Sequence, residues 1–157
     1  MVDQDRLLNL IEIFVRMANK YNMINAQPLD YGTGDLIHPS EIHLLNAAEK
    51  KQDENITELS SYLGITKSAA SQTVMKLEKK GYCRKVKLEN RKNIYLEITP
   101  KGKNAVKCFR EYKSRLFADL IKVFESSGDN KIKVLEEAFI HLDEHMDLLA
   151  KEYRTAH

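Results

Sequence analysis

Between Asn55 and Gly102 the spacing of apolar residues switches from helical to alternating. That switch dictates short helices followed by a two-stranded ribbon. Asn55-Ile56-Thr57-Glu58 has capping-box logic: the Asn side chain accepts from the backbone N–H at Glu58, and Glu58 reaches back. Ile56, Leu59, Tyr62 and Leu63 then recur at helical steps. Gly64 suits a sharp stop, because glycine turns a chain through positive φ at little cost. Ile65 is expected to fill the corner, and Thr66 to cap a second helix running from Lys67 to Lys80. Val74 and Leu77 are its expected buried positions, with small Ala69, Ala70 and Thr73 beside them and Gly81 at its left-handed end. Beyond Gly81, Val86, Leu88, Ile94, Leu96 and Ile98 alternate with Arg84, Lys85, Lys87, Tyr95 and Glu97. Around the polar turn Glu89–Asn93 this predicts a β-hairpin with one face on the protein and one in solvent.

The flanks are helical. A first helix over Asp5–Asn22 carries Leu7, Leu8, Leu10, Ile11, Phe14, Val15, Met17, Ala18 and Tyr21. A helix this apolar needs cover on several sides, and in a chain of 157 residues a partner subunit is the natural source. The stretch Ala26–Gly34, with Pro28, Gly32 and Gly34, reads as a loop. His38-Pro39-Ser40-Glu41 reads as a helix start whose buried side is Ile42, Leu44, Leu45, Ala47 and Ala48. Thr99-Pro100 caps a long helix expected to reach Ser126, and Ser126–Asn130 breaks it. In the last helix Ile132, Leu135, Phe139, Leu142, Met146, Leu149 and Tyr153 alternate steps of three and four, a heptad seam. With the first helix, this seam points to a dimer interface built from both termini.

Formal net charge is only +2, but its distribution is uneven. From Ile65 to Ala105 the chain has eleven basic and three acidic residues, a net +8, leaving 14 basic and 20 acidic, a net −6, elsewhere. A segregated positive lobe suits a polyanion; a solvated, lysine-rich surface is the plainer alternative. No apolar run nears the roughly 20 residues that span a bilayer. Cys83 and Cys108 lack CxxC spacing and read as thiols in a reducing, cytoplasmic compartment. No GxSxG, HExxH or P-loop pattern supports an enzyme, and no cofactor is expected.

The stretch ITELSSYLGITKSAASQTVMKLEKKGY, a hairpin containing Asn90-Arg91-Lys92, and the exit Ile98-Thr99-Pro100-Lys101-Gly102 together resemble the MarR family of transcriptional regulators. The resemblance spans nearly the whole chain in helix order. It implies a mainly α fold with a small antiparallel β-wing. A winged helix-turn-helix lobe would cover 36–99, and a helical dimerisation lobe would combine 1–25 with 100–157. It further implies a homodimer that binds a pseudo-palindromic operator in double-stranded DNA, acts as a repressor and is released by a small lipophilic or phenolic effector. One departure is Asn90, where the family commonly has Asp pairing with a nearby Arg to steady the wing tip.

In this context the helix from Lys67 lies in the major groove. Ser68, Ser71 and Gln72 are the candidates for base edges, Lys67 and Lys76 for phosphates. Arg91 is the minor-groove candidate at the wing tip, and Lys92, Lys87 and Lys85 would track flanking phosphates. The plainer alternatives are a polar helix surface and a solvated turn. The family's effector pocket lies where dimer helices meet the winged lobe, with Arg16, Tyr31 and His38 as its lining candidates. His141 and His145 have i, i+4 spacing but no evident third ligand, so no metal is assigned; packing beside the seam is the plainer reading. Two further functions stay open: a winged-helix protein-interaction module that reads no DNA sequence, and a metal-responsive regulator.

Overall fold

The computed structural model describes residues 3–87 and 93–156, with side chains through residue 152. The chain divides into two compact units, Met1–Phe109 and Arg110–His157.

The first unit opens with α1 (Gln4–Ile24), capped by the Asp3 carboxylate accepting from the Asp5 N–H. The segment expected to be only loop contains a short strand, β1 (Leu29–Asp30), paired antiparallel with β2 (Leu36–Ile37). The Asp30 carboxylate holds the connecting turn by accepting from the Thr33 and Gly34 N–H groups. Helix α2 (Pro39–Lys50) follows, with Pro at its first position as the sequence predicts. Next come α3 (Ile56–Tyr62) and α4 (Lys67–Lys79). The capping box is formed: Asn55 Oδ1 accepts from the Thr57 and Glu58 N–H groups, and Glu58 accepts from the Asn55 N–H. Gly64 and Gly81 end the two helices at φ 64° and 77°.

The ribbon is β3 (Cys83–Lys87) paired antiparallel with β4 (Ile94–Ile98), Cys83 opposite Ile98 and Lys87 opposite Ile94. Strict alternation fails in β4. Tyr95 and Leu96 are both buried, whereas Ile94 is exposed. Tyr62 likewise leaves the core, and the Lys51 ammonium lies over its ring at 4.5 Å. The core joins Ile37, Ile42, Leu44, Leu45, Leu59, Val74, Leu77 and Tyr82 with Val106 and Phe109 of the next helix.

That helix, α5 (Pro100–Leu116), does not reach Ser126. The chain turns at Phe117 (φ −106°, ψ 15°) and re-enters helix as α6 (Ala118–Ser127). Gly128, at φ 86°, alone separates α6 from α7 (Asp129–Ala156). The predicted seam lies on α7, with Phe139, Met146 and Leu149 exposed; no residue of α1 is buried. Among the described residues no helix is long and apolar enough to cross a membrane.

Candidate nucleic-acid interface

Helix α4 has two faces with different tasks. Ala70, Thr73, Val74 and Leu77 are buried, and the Thr73 hydroxyl is satisfied by donating to the Ala69 carbonyl at 2.9 Å. Opposite them, Ser68, Gln72, Met75 and Lys79 follow one another at steps of four, three and four, all exposed. At 3.6 residues per turn this is one stripe along the outward side. Lys76 is exposed on one flank of the stripe. On the other flank Lys67 and Ser71 line a cleft of about 180 Å³ with Asn55, Ile56, Thr57, Asn93 and Ile94. Of the three base-edge candidates, then, Ser68 and Gln72 sit on the stripe, and half-buried Ser71 lines the cleft with Asn93 and Ile94 at the start of β4. The wing tip, with Arg91 and Lys92, lies outside the described residues; Lys87 closes the described part of β3 and is exposed.

The start of α4 is set by the Thr66 hydroxyl, which accepts from the Ala69 N–H at 3.1 Å. Its far end is held by two ion-paired lysines. Lys80 donates to both Glu41 oxygens at 2.8 and 3.0 Å and to the Leu36 carbonyl at 3.1 Å. Glu41 is 1% exposed and also accepts from the His38 N–H at 2.8 Å, so it closes the first turn of α2 as well. Lys101 donates to Asp35 at 2.6 Å and to the Lys80 carbonyl at 3.0 Å, and lies over the Tyr82 ring at 4.5 Å. The hydrogen bond from Lys101, and next that from Tyr82, hold the Asp35 carboxyl below its ordinary range; the same contact raises Lys101. The Tyr82 hydroxyl, pushed up chiefly by burial, meets Asp35 at 3.0 Å and Thr33 at 2.6 Å. Thr99 ties the junction further: its hydroxyl meets the Gly81 and Tyr82 carbonyls and accepts from the Gly102 N–H. A side chain on Gly102 would collide with the Tyr82 carbonyl and with Ile98.

These ties correct the charge inventory. Lys80 and Lys101 are tied into ion pairs within the fold, and Lys85, expected to follow phosphates, pairs with Glu78 at 3.2 Å. The Lys85 backbone N–H and then its ammonium hold the Glu78 carboxyl low, joining β3 to α4. Among the described residues from Ile65 to Ala105, Lys67, Lys76, Lys79, Arg84, Lys87 and Lys103 have no ion pair. Lys79 and Met75 share this exposed stripe and were not singled out from the sequence.

A family profile described as a winged helix DNA-binding domain matches residues 41–117. Solved structures agree over more of the chain. A MarR family protein from Bacillus stearothermophilus is 21% identical, covers 93% of this chain and 99% of its own, and superposes with a TM-score of 0.66. The chain is a winged helix protein with the MarR fold. A MarR/EmrR family transcriptional regulator from Acinetobacter sp. ADP1 is 20% identical, covers 92% of this chain and 99% of its own, and reaches a TM-score of 0.69. Streptococcus pneumoniae FabT, solved in complex with DNA, is 20% identical, covers 91% and 99%, and reaches 0.66. An uncharacterised HTH-type transcriptional regulator of Bacillus subtilis, YhjH, is 24% identical over 129 residues, 82% of this chain and 70% of that protein.

Within this MarR fold the remaining candidates occupy varied settings. Tyr31 is buried, its ring edge-on to Phe109 at 5.5 Å. His38 is exposed at the start of α2, and Arg16 is exposed on α1. His141 lies 3.5 Å from Glu144 on the surface of α7, and among the described residues no three His, Cys, Asp or Glu side chains gather as a metal site. Burial, and secondarily Glu78, push the Cys83 thiol up to about 11, which leaves it poor in thiolate.

Proposed function

We propose that this chain is a cytoplasmic, homodimeric, DNA-binding transcriptional regulator that acts as a repressor and is released by a small lipophilic or phenolic effector. The observation that carries the reading is the outward stripe of α4, where Ser68, Gln72 and Lys79 stand between unpaired Lys67 and Lys76. Serine and glutamine offer the donors and acceptors that base edges require, and flanking lysines supply the phosphate term. Arg91 and Lys92 extend the contact from the wing. The exposed apolar residues of α1 and α7 are the surfaces that a second copy would cover, giving two reading helices for two half-sites. Arg16, Tyr31 and His38 remain the effector-lining candidates.

The test is a mobility shift on the chain's own upstream DNA and on duplexes selected in vitro, at two salt concentrations. Neutralising about six to ten phosphates makes affinity fall by orders of magnitude between low and moderate salt. Gln72→Ala is expected to relax sequence preference, while Lys67→Ala and Arg91→Ala weaken binding to all sequences and flatten the salt slope. A chain that sediments as a monomer and shifts no duplex removes the reading. A protein-interaction module using the same basic face would bind its partner and ignore DNA sequence.

A further inference from the structure

The outward stripe of α4 contains one residue that neither donates a hydrogen bond nor carries charge. Met75 is 54% exposed and lies between Gln72, one turn before it, and Lys79, one turn after. A single exposed apolar side chain is ordinary on a protein surface. Here its position is what matters, because the rest of the stripe is polar or charged. In a groove lined with donors and acceptors, a thioether would strip water from polar edges and return no hydrogen bond. The major groove has one apolar feature it can meet, the C5-methyl group of thymine.

We propose that Met75 reads a thymine methyl group in each half-site. The inference rests on the DNA-binding reading above and makes Met75 a specificity residue of the same helix. Reach is consistent with the role. Met75 lies seven residues beyond Ser68, roughly 10 Å along the helix axis. Residues near the start of a recognition helix approach base edges most closely, so a later position needs a longer side chain. Methionine is long, unbranched and polarizable, and adapts to a small apolar target. Ser68 and Gln72 fix hydrogen-bond patterns; Met75 adds a contact to a group that cytosine lacks.

The test replaces thymine by deoxyuridine, which removes the methyl and leaves every hydrogen-bonding group in place. An operator is first selected from random duplexes with the full chain. Each thymine is then substituted symmetrically in both half-sites, and affinity is read by fluorescence anisotropy. Wild-type protein is expected to lose roughly fourfold in affinity per methyl at one position in each half-site, and about tenfold or more when both are removed. Met75→Ala is expected to bind thymine and uracil duplexes equally, and Met75→Leu to keep most of the discrimination. Circular dichroism checks that both variants fold. Uniform tolerance of uracil by the wild type, or discrimination that persists in Met75→Ala, overturns the proposal and leaves the DNA-binding reading intact. Failure to select any duplex overturns both.

Discussion

Removing the Lys80 ammonium while leaving Glu41 in place exposes the cost of a buried carboxylate. The Glu41 side chain is 2% exposed and its partner 31%. Deleting one member of a buried pair costs about 3–5 kcal/mol when the survivor is fully enclosed. Glu41 keeps its bond from the His38 N–H, and water reaches the Lys80 end, so Lys80→Met is expected to cost about 2–3 kcal/mol. Glu41→Gln removes the other charge, but Lys80 keeps the Leu36 carbonyl and solvent, and the amide still accepts from His38; about 1 kcal/mol is expected. In the double variant no charge is stranded, so its loss should fall well short of the two single losses added together. Urea unfolding at fixed protein concentration reads the three values. With a slope of about 2 kcal/mol per molar, Lys80→Met lowers the midpoint by roughly 1 M. If Lys80→Met costs less than Glu41→Gln, or if the single losses simply add, the buried-pair argument fails.

Two further expectations follow from the same lobe. Asp35 has its carboxyl depressed by Lys101, so its contribution is complete above the ordinary carboxylate value of 3.8 and is lost as pH falls through the lower folded value. The stability gap between wild type and Asp35→Asn should therefore hold from neutral pH to about pH 5 and close in strong acid; a gap unchanged at about pH 2 refutes the pairing. Of the two thiols, half-buried Cys108 should react with a chromogenic disulfide in the native protein, whereas Cys83, buried and raised to about 11, should react only on unfolding; labelling followed by peptide mapping decides this.

Local rules made α2, α3 and α4 legible. Pro39, the Asn55–Glu58 box, Thr66, Gly64 and Gly81 act within a few residues of themselves, and the structure places each where those rules require. The helix break at Phe117 was illegible because neither proline nor glycine marks it, and the Ile121 N–H still bonds the Phe117 carbonyl across it. Tyr95 misled because alternation assumes one buried face, whereas β4 buries consecutive residues. The lysines posed a different problem. Glu41 and Asp35, which neutralise Lys80 and Lys101, lie 39 and 66 positions away, so composition counted as available two positive charges that the fold cancels. The exposed stripe was half read: Ser68 and Gln72 from their chemistry, Met75 and Lys79 only once the buried side was known.

The division of α4 has a practical corollary. Side chains that anchor the helix (Ala70, Thr73, Val74, Leu77) and those that look away from it (Ser68, Gln72, Met75, Lys79) share no member. Substitutions at the four outward positions should therefore change what the helix presents while the interior stays as it is.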